Sequence, residues 1–289
     1  MTKYIILGHE NPDLDSIVSG FLLEKLLKQK GYQAEFIIPD KVISQENITL
    51  CKQINIDPTK YQKKIPKNSA FILVDHFERI TPGPIIAIID HHPTTKKITC
   101  PYYFNLPSSS VSLLIIKNNE KFFSKNDFLC AIFAAMVDTV AFHSIKALPS
   151  DISWCQNKCQ QLSFNYEHLL TLSMCPTDMT DLNQAAFNGL KKHTINNYKI
   201  ASSFLHLVDP QKYNNQIQKI LDKLKIYRQE NNLVLFAFLV HNITNFTSTL
   251  YKIKENTIEV TKYPQYASRG NIIIPELTKE LTIQTKRTP

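Results

Sequence analysis

Short runs of uninterrupted apolar residues that end abruptly in acids and histidines constrain this chain most. They are KYIILG (3–8), AFILVDH (70–76) and IIAIIDHH (85–92). A half-buried strand alternates apolar with polar residues, so a continuous apolar run requires burial on both faces. Strands of that kind sit inside a parallel sheet with helical crossovers. The intervening segments agree. DSIVSGFLLEKLLKQKG (15–31) reads as a helix ending at Gly31, AEFIIP (34–39) as a strand, and a polar helix-like stretch follows. SSSVSLLIIKNNEKFF (108–123) and NDFLCAIFAAMVDTVAF (126–142) are helical by length and pattern.

The composition changes near 164–185, where no lysine or arginine occurs between lysine-rich flanks. This predicts a first α/β domain over 1–170, a linker over 171–185 and a smaller domain over 186–289. In the smaller domain YKIASSFLHLVD, LVLFAFLVHN and NTIEVTKY read as strands around the helix NNQIQKILDKLKIYRQE. A small α+β unit fits that pattern.

At 289 residues and 43% hydrophobic content the chain can bury a sizeable core. No apolar run reaches the roughly 18 residues needed to span a bilayer, and the start of the chain reads as a strand rather than a signal peptide. The six cysteines include no CxxC pair, and reduced thiols in a cytoplasmic protein are expected. A net charge of +8 draws polyanions, although runs such as KYQKKIPKN (60–68) also serve as solvated helix faces. Six glycines with no GxGxxG or GxxxxGK[ST] argue against dinucleotide and P-loop nucleotide binding.

Ligands of parallel α/β sheets bind beyond the C-terminal ends of the strands, and there the acids and imidazoles collect. GHENPDLDSIVSG carries His9, Asp13 and Asp15; the second run ends in Asp75 and His76; the third ends in Asp90, His91 and His92. Asp138 lies late in the apolar stretch CAIFAAMVDTV, where an unpaired carboxylate is expensive to bury. Each element alone has a plain structural reading as a cap or turn former. Together they offer oxygen and imidazole ligands suited to a pair of Mn²⁺-type or Mg²⁺-type ions.

In order along the chain, GHENPDLDSI, LVDH, IIDHH and AAMVDT resemble the DHH phosphoesterase superfamily. The layout is most similar to the manganese-dependent (family II) inorganic pyrophosphatases and the related exopolyphosphatases, and ASRGNIIIPELTKEL resembles their closing Ser-Arg-Lys-Lys-Gln motif. The glycine-rich GGGH-like ending of the branch that cleaves oligonucleotides and cyclic dinucleotides does not occur. The resemblance implies a DHH domain with a second α/β domain closing over the site. It implies one metal on His9, Asp13 and Asp75, and another on Asp15, Asp75, His91 and Asp138. It further implies two Mn²⁺ ions, with Mg²⁺ or Co²⁺ as substitutes, and a hydroxide held between them as the nucleophile. His92 would face the phosphate, Arg269 would bind it, and Asp90 and His76 would orient the ligands. Asn11 and Pro12 would shape the loop, with Ser16 or Ser19 helping to start the helix. The implied partner is a small phosphate anion, hydrolysed as pyrophosphate to two phosphates. Bacterial family members pair through the N-terminal domain, which leaves a homodimer open. Neither a membrane nor nucleic acid is an expected partner.

The chain departs from that family where substrate is gripped. Gly270 follows Arg269 in place of a lysine, and no lysine or arginine occurs between Lys158 and Lys191, so PTDMTDLNQ lacks the expected cation. A charge-assisted contact to phosphate contributes about 1.5–3 kcal/mol, so two losses slow pyrophosphate turnover unless other cations act. Lys96, Lys97, Lys191, Lys192 and Lys262 are the candidates. Otherwise the substrate is a longer polyphosphate or another phosphoester, or the protein binds metal with little turnover. A nucleic-acid-binding module is the reading from a different class; its binding would fall with salt and survive chelation.

Overall fold

A computed structural model describes residues 3–39, 43–67 and 69–285. The chain divides into two compact units, residues 1–175 and 176–289.

The first unit is built on β1 (Tyr4–Leu7), α1 (Leu14–Gln29), β2 (Ala34–Ile37), α2 (Gln45–Gln53), β3 (Ala70–Val74), β4 (Ile85–Asp90) and β5 (Tyr102–Asn105). α3 (Val111–Lys117), α4 (Lys125–Asp138), α5 (Pro149–Leu162) and α6 (Tyr166–Ser173) follow. The five strands are all parallel, in the order β2-β1-β3-β4-β5. That order reverses between β1 and β3, the switch point at which such sheets open a crevice.

The two faces of this sheet are covered differently. Ile6, Phe36, Ile72 and Val74 pack into one cluster with the inner faces of the helices. Ile5, Leu7, Ile37, Phe71, Leu73 and Ile88 face the other way and pack with Ile65, Phe77, Ile98 and Cys100 from connecting segments. Helical crossovers were expected throughout, yet β3–β4 and β4–β5 are joined by loops. Their sequences explain this: FERITPGP and HHPTTKKITCP place prolines where a helix would need backbone donors.

α1 starts where Asp13 accepts a hydrogen bond from the Ser16 amide at 2.9 Å, and Gly31 turns away at φ +84° just past its end. Gly20 lies where α1 crosses β2. A Cβ there would come within 2.2 Å of the Phe36 ring, which is 1% exposed and has no room to retreat. Gly20→Ala should therefore destabilise the protein. Overpacking of this kind costs about 1–3 kcal/mol, against about 1 kcal/mol returned by alanine's helix propensity. The expected net effect is a fall of several degrees in thermal midpoint, read by calorimetry; an unchanged midpoint would contradict the packing described.

Both long helical stretches are shorter than the pattern predicts. Ser110 accepts from the Leu113 amide and starts α3 at Val111, leaving Ser108 and Ser109 outside it. α4 ends at Asp138 because Val140, Ala141 and Phe142 adopt left-handed φ of 54°, 52° and 63°. Such a run is costly for residues with a Cβ, and nothing in their identity announces it.

The second unit comprises α7 (Leu182–Ala186), β6 (Lys191–Ile195), β7 (Tyr198–Leu207), α8 (Asn214–Glu230), β8 (Leu235–Asn242), β9 (Thr247–Ile253), β10 (Ile258–Tyr263) and α9 (Ile274–Thr285). Its sheet runs β10-β9-β8-β7-β6 and is mixed: β7 and β8 are parallel and the other pairs antiparallel. α7 and α8 cover one face and α9 the other. The unit boundary falls within 171–185, but that segment also holds the last turn of α6 and most of α7. Among the described residues no helix is long and apolar enough to cross a membrane.

Candidate metal centre

The C-terminal ends of β1, β3 and β4 meet in the first unit, and Asp75 lies at the hub. It is 2% exposed and takes φ +65°, an uncommon conformation for a residue with a Cβ, fixed in part by its amide donating to the Ile89 carbonyl at 2.9 Å. Oδ2 lies 3.5 Å from Nε2 of His9 and accepts from the Ser16 hydroxyl at 2.8 Å. Oδ1 lies 3.3 Å from Nε2 of His91. Ser16 also accepts from the His9 amide at 3.1 Å, which ties the loop after β1 to the start of α1.

Two sets of potential ligand atoms share this residue: His9, Asp75 and His92, and Asp15, Asp75 and His91. Asp13, expected beside His9, belongs to neither set; it caps α1 and is exposed. Asp15 is buried, and its oxygens accept from the Val111 amide at 2.7 Å and the Ser112 amide at 3.1 Å. A carboxylate of α1 thus docks on the first turn of α3, where helix amides favour negative charge. Asp138 stands outside both sets, although its Oδ2 lies 3.6 Å from Nε2 of His91.

Orphaned atoms bear on whether these residues suit a cation. Nε2 of His91 and Oδ2 of Asp138 are buried without a hydrogen-bond partner. The Nδ1 of His91 lies 2.8 Å from the Ser108 carbonyl, so that nitrogen is the donor and Nε2 can present its lone pair. A buried imidazole lone pair aimed at two carboxylates is a donor set suited to a divalent ion of the Mn²⁺ class. Asp90 positions the neighbouring ring. It is fully buried, and its Oδ1 accepts from the amides of His91 and His92 and from Nδ1 of His92 at 2.8 Å. His92, His9 and His76 line an adjoining cavity of about 730 Å³.

The electrostatics follow from burial and crowding. Burial, helped by Asp138, pushes the Asp15 carboxyl up to about 6, and burial with Asp15 raises Asp75 well above the usual range. Burial disfavours charge on His91, but the Asp75 carboxylate 3.3 Å away and the charge of Asp15 outweigh it and push the imidazole up to about 9. Burial, helped by His9 and Arg79, carries His76 down to about 4 and leaves it neutral. A divalent ion must displace the protons on His91, Asp15 and Asp75, so Mn²⁺ affinity should rise from pH 6 to pH 9 with protons released. The raised groups stabilise the metal-free fold below their unfolded values and lose that contribution as pH rises through about 6 for Asp15 and about 9 for His91. Mn²⁺ should therefore raise the thermal midpoint more at pH 8 than at pH 5.5, with about 2.7 kcal/mol gained at 100 times its Kd. Equal shifts at both pH values would contradict the assignment.

Comparison with known proteins places the fold. Residues 3–136 match the DHH family, N-terminal domain. That span carries every residue of the two ligand sets and stops just before Asp138. Over 271 residues the chain is 25% identical to the probable manganese-dependent inorganic pyrophosphatase of Oceanobacillus iheyensis, covering 88% of this chain and 86% of that protein. The manganese-dependent inorganic pyrophosphatase of Bacillus subtilis is 23% identical over 279 residues, covering 91% and 89%. Among solved structures, a putative family II inorganic pyrophosphatase of Methanococcus jannaschii shares the fold with a TM-score of 0.59 at 20% identity, over 96% of this chain and 98% of that one. An exopolyphosphatase-related protein from Bacteroides fragilis shares it with a TM-score of 0.53 at 15% identity, covering 99% and 94%. The span that matches the DHH family model is followed in this chain by a second α/β unit.

Proposed function

We propose that this protein is a Mn²⁺-dependent phosphohydrolase that splits pyrophosphate into two phosphates. The observation that carries the reading is the shared carboxylate: Asp75 belongs to two ligand sets at the switch point of a parallel sheet. The manganese-dependent pyrophosphatases among its relatives support it. His9 and Asp75 would hold one ion, with Asp13 close enough in sequence to join on reorientation; Asp15, Asp75, His91 and Asp138 would hold the other. Two such ions supply Lewis-acid polarisation of phosphoryl oxygens and water acidic enough to attack phosphorus near neutral pH.

The residues have separable tasks. Ser16 fixes the Asp75 carboxylate through its hydroxyl. Asp90 engages Nδ1 of His92, which leaves Nε2 to donate to a phosphate oxygen or to protonate the leaving phosphate as the bridging P–O bond breaks. Arg269 offers the second unit's charge; its guanidinium stacks over the Phe204 ring and donates to the Gly189 carbonyl. On this reading the second unit closes over the phosphate when substrate binds. Tyr102 and Phe104 on β5, an edge strand of the described sheet, and Leu106 just past its end are exposed and support assembly as a homodimer. Unpaired thiols at all six cysteines support a cytoplasmic location.

One feature favours a second reading. Gly270 and the cation-free run between Lys158 and Lys191 remove two charges from the pyrophosphate grip, which suits a longer polyphosphate held along more of the basic surface. Phosphate release with Mn²⁺ from pyrophosphate, tripolyphosphate and long polyphosphate separates the two, with Asp75→Ala as the blank. Fastest release from pyrophosphate supports the first reading and a preference for long chains supports the second. Silence on all three would overturn both.

A further inference from the structure

The two oxygens of Asp138 have different surroundings. Oδ2 is buried, has no hydrogen-bond partner and faces His91, while Oδ1 accepts from the Lys146 ammonium at 3.0 Å. Lys146 reaches that position because the chain folds back sharply after α4. Val140, Ala141 and Phe142 take left-handed backbone, the Phe142 amide donates to the Thr139 hydroxyl at 3.1 Å, and the Ser144 amide donates to the Thr139 carbonyl at 2.9 Å. The strained turn brings a lysine eight residues away back onto the carboxylate that ends the helix.

Lys146 also lines a cavity of about 240 Å³ together with His91, His92 and Ser108, and among these lining residues it supplies the permanent positive charge. Its side chain is 44% exposed, so it is held in place and still open to an incoming anion. Of the lysines suggested by sequence, Lys96 pairs with Glu78, and Lys192 donates to Asn231 in the second unit.

We propose that Lys146 is a phosphate-binding residue of this site, replacing from the metal-bearing unit a charge that the second unit lacks. The proposal rests on the phosphohydrolase reading above. An ammonium has three donors, and Asp138 occupies one. A cation held beside Asp138 would leave the carboxylate less negative charge to offer Lys146, and the ammonium's remaining donors would be available to a non-bridging phosphate oxygen. Lysine suits this role as a compact point charge.

The test uses the full chain with Mn²⁺ and imidodiphosphate, a pyrophosphate analogue with a nitrogen bridge. Calorimetric titration of wild type, Lys146→Gln and Lys146→Arg gives analogue affinity, separate titrations give Mn²⁺ affinity, and phosphate release gives KM and kcat. Lys146→Gln should weaken analogue binding and raise KM about 10–100-fold while keeping its Mn²⁺ stoichiometry, because a charge-assisted hydrogen bond is lost. Lys146→Arg should recover most of that loss. Analogue affinity and KM within twofold of wild type, with only Mn²⁺ affinity or thermal stability altered, would overturn the proposal and leave Lys146 as a partner of Asp138 alone. A wild-type chain that binds Mn²⁺ yet neither binds the analogue nor releases phosphate would instead overturn the phosphohydrolase reading, and the role of Lys146 with it.

Discussion

Asp75→Asn should cut phosphate release by on the order of 10⁴-fold, the equivalent of several kcal/mol of lost charge stabilisation at the reacting phosphorus. Asparagine has nearly the shape of aspartate, so it can occupy the same buried place and accept from the Ser16 hydroxyl. What it lacks is the negative charge that serves the His9 side and the His91 side at once. Bound Mn²⁺ should fall from two ions per chain to one or none, measured by metal analysis after gel filtration. The metal-free variant should be no less stable than wild type, because burial and Asp15 already work against charge at this position. Full activity in Asp75→Asn would mean that the shared carboxylate is not the centre of the chemistry.

Asp90→Asn should lower kcat by about 10²–10³-fold while leaving both Mn²⁺ ions bound. Asp90 belongs to neither ligand set and acts through the histidines beside it. It accepts from two backbone amides and from Nδ1 of His92, which sets both the tautomer and the orientation of that ring. An amide in its place can present its nitrogen to His92 and reverse the hydrogen bond, so that Nε2 would carry the proton only part of the time. The effect should appear in kcat more than in KM, read from initial rates at saturating Mn²⁺. Burial opposes charge on Asp90, but the hydrogen bonds from His92 and the two amides win and hold the carboxyl below its usual 3.8. Its contribution to stability is therefore complete above that value and is lost as pH falls through the lower folded one. The variant should lose part of the acid sensitivity of the wild-type fold.

The placement of ligands at strand ends was legible because their chemistry is local. An apolar run that stops at an acid or a histidine marks the C-terminal end of a buried strand: β3 stops at Asp75, β4 at Asp90, and β1 at Gly8 and His9. The helix was legible from Asp15, with Ser16 or Ser19 helping to start it; it begins at Leu14 with Asp13 as its cap, and Asp13 belongs to neither ligand set. Long-range pairings were not legible. Asp15 docks on amides 96 and 97 residues away, and no spacing rule encodes that distance. The edge strands β5 and β6 were missed because YYFN and KKHTI lack the continuous apolar signature of an interior strand. The end of α4 at Asp138 was missed because Val140, Ala141 and Phe142 reach left-handed backbone without a glycine or asparagine to signal it, and the position of Lys146 depends on that turn. Sequence thus placed the acids and histidines at the strand ends more readily than the lysine that folds back beside them.

The most direct test strips the protein with a chelator, returns Mn²⁺ stepwise, and measures bound ions and phosphate release from pyrophosphate in the same samples. The account predicts no release from the stripped protein, two ions per chain at saturation, and turnover that rises with their binding. Full release in the presence of chelator, or a folded chain that takes up no Mn²⁺, would contradict it.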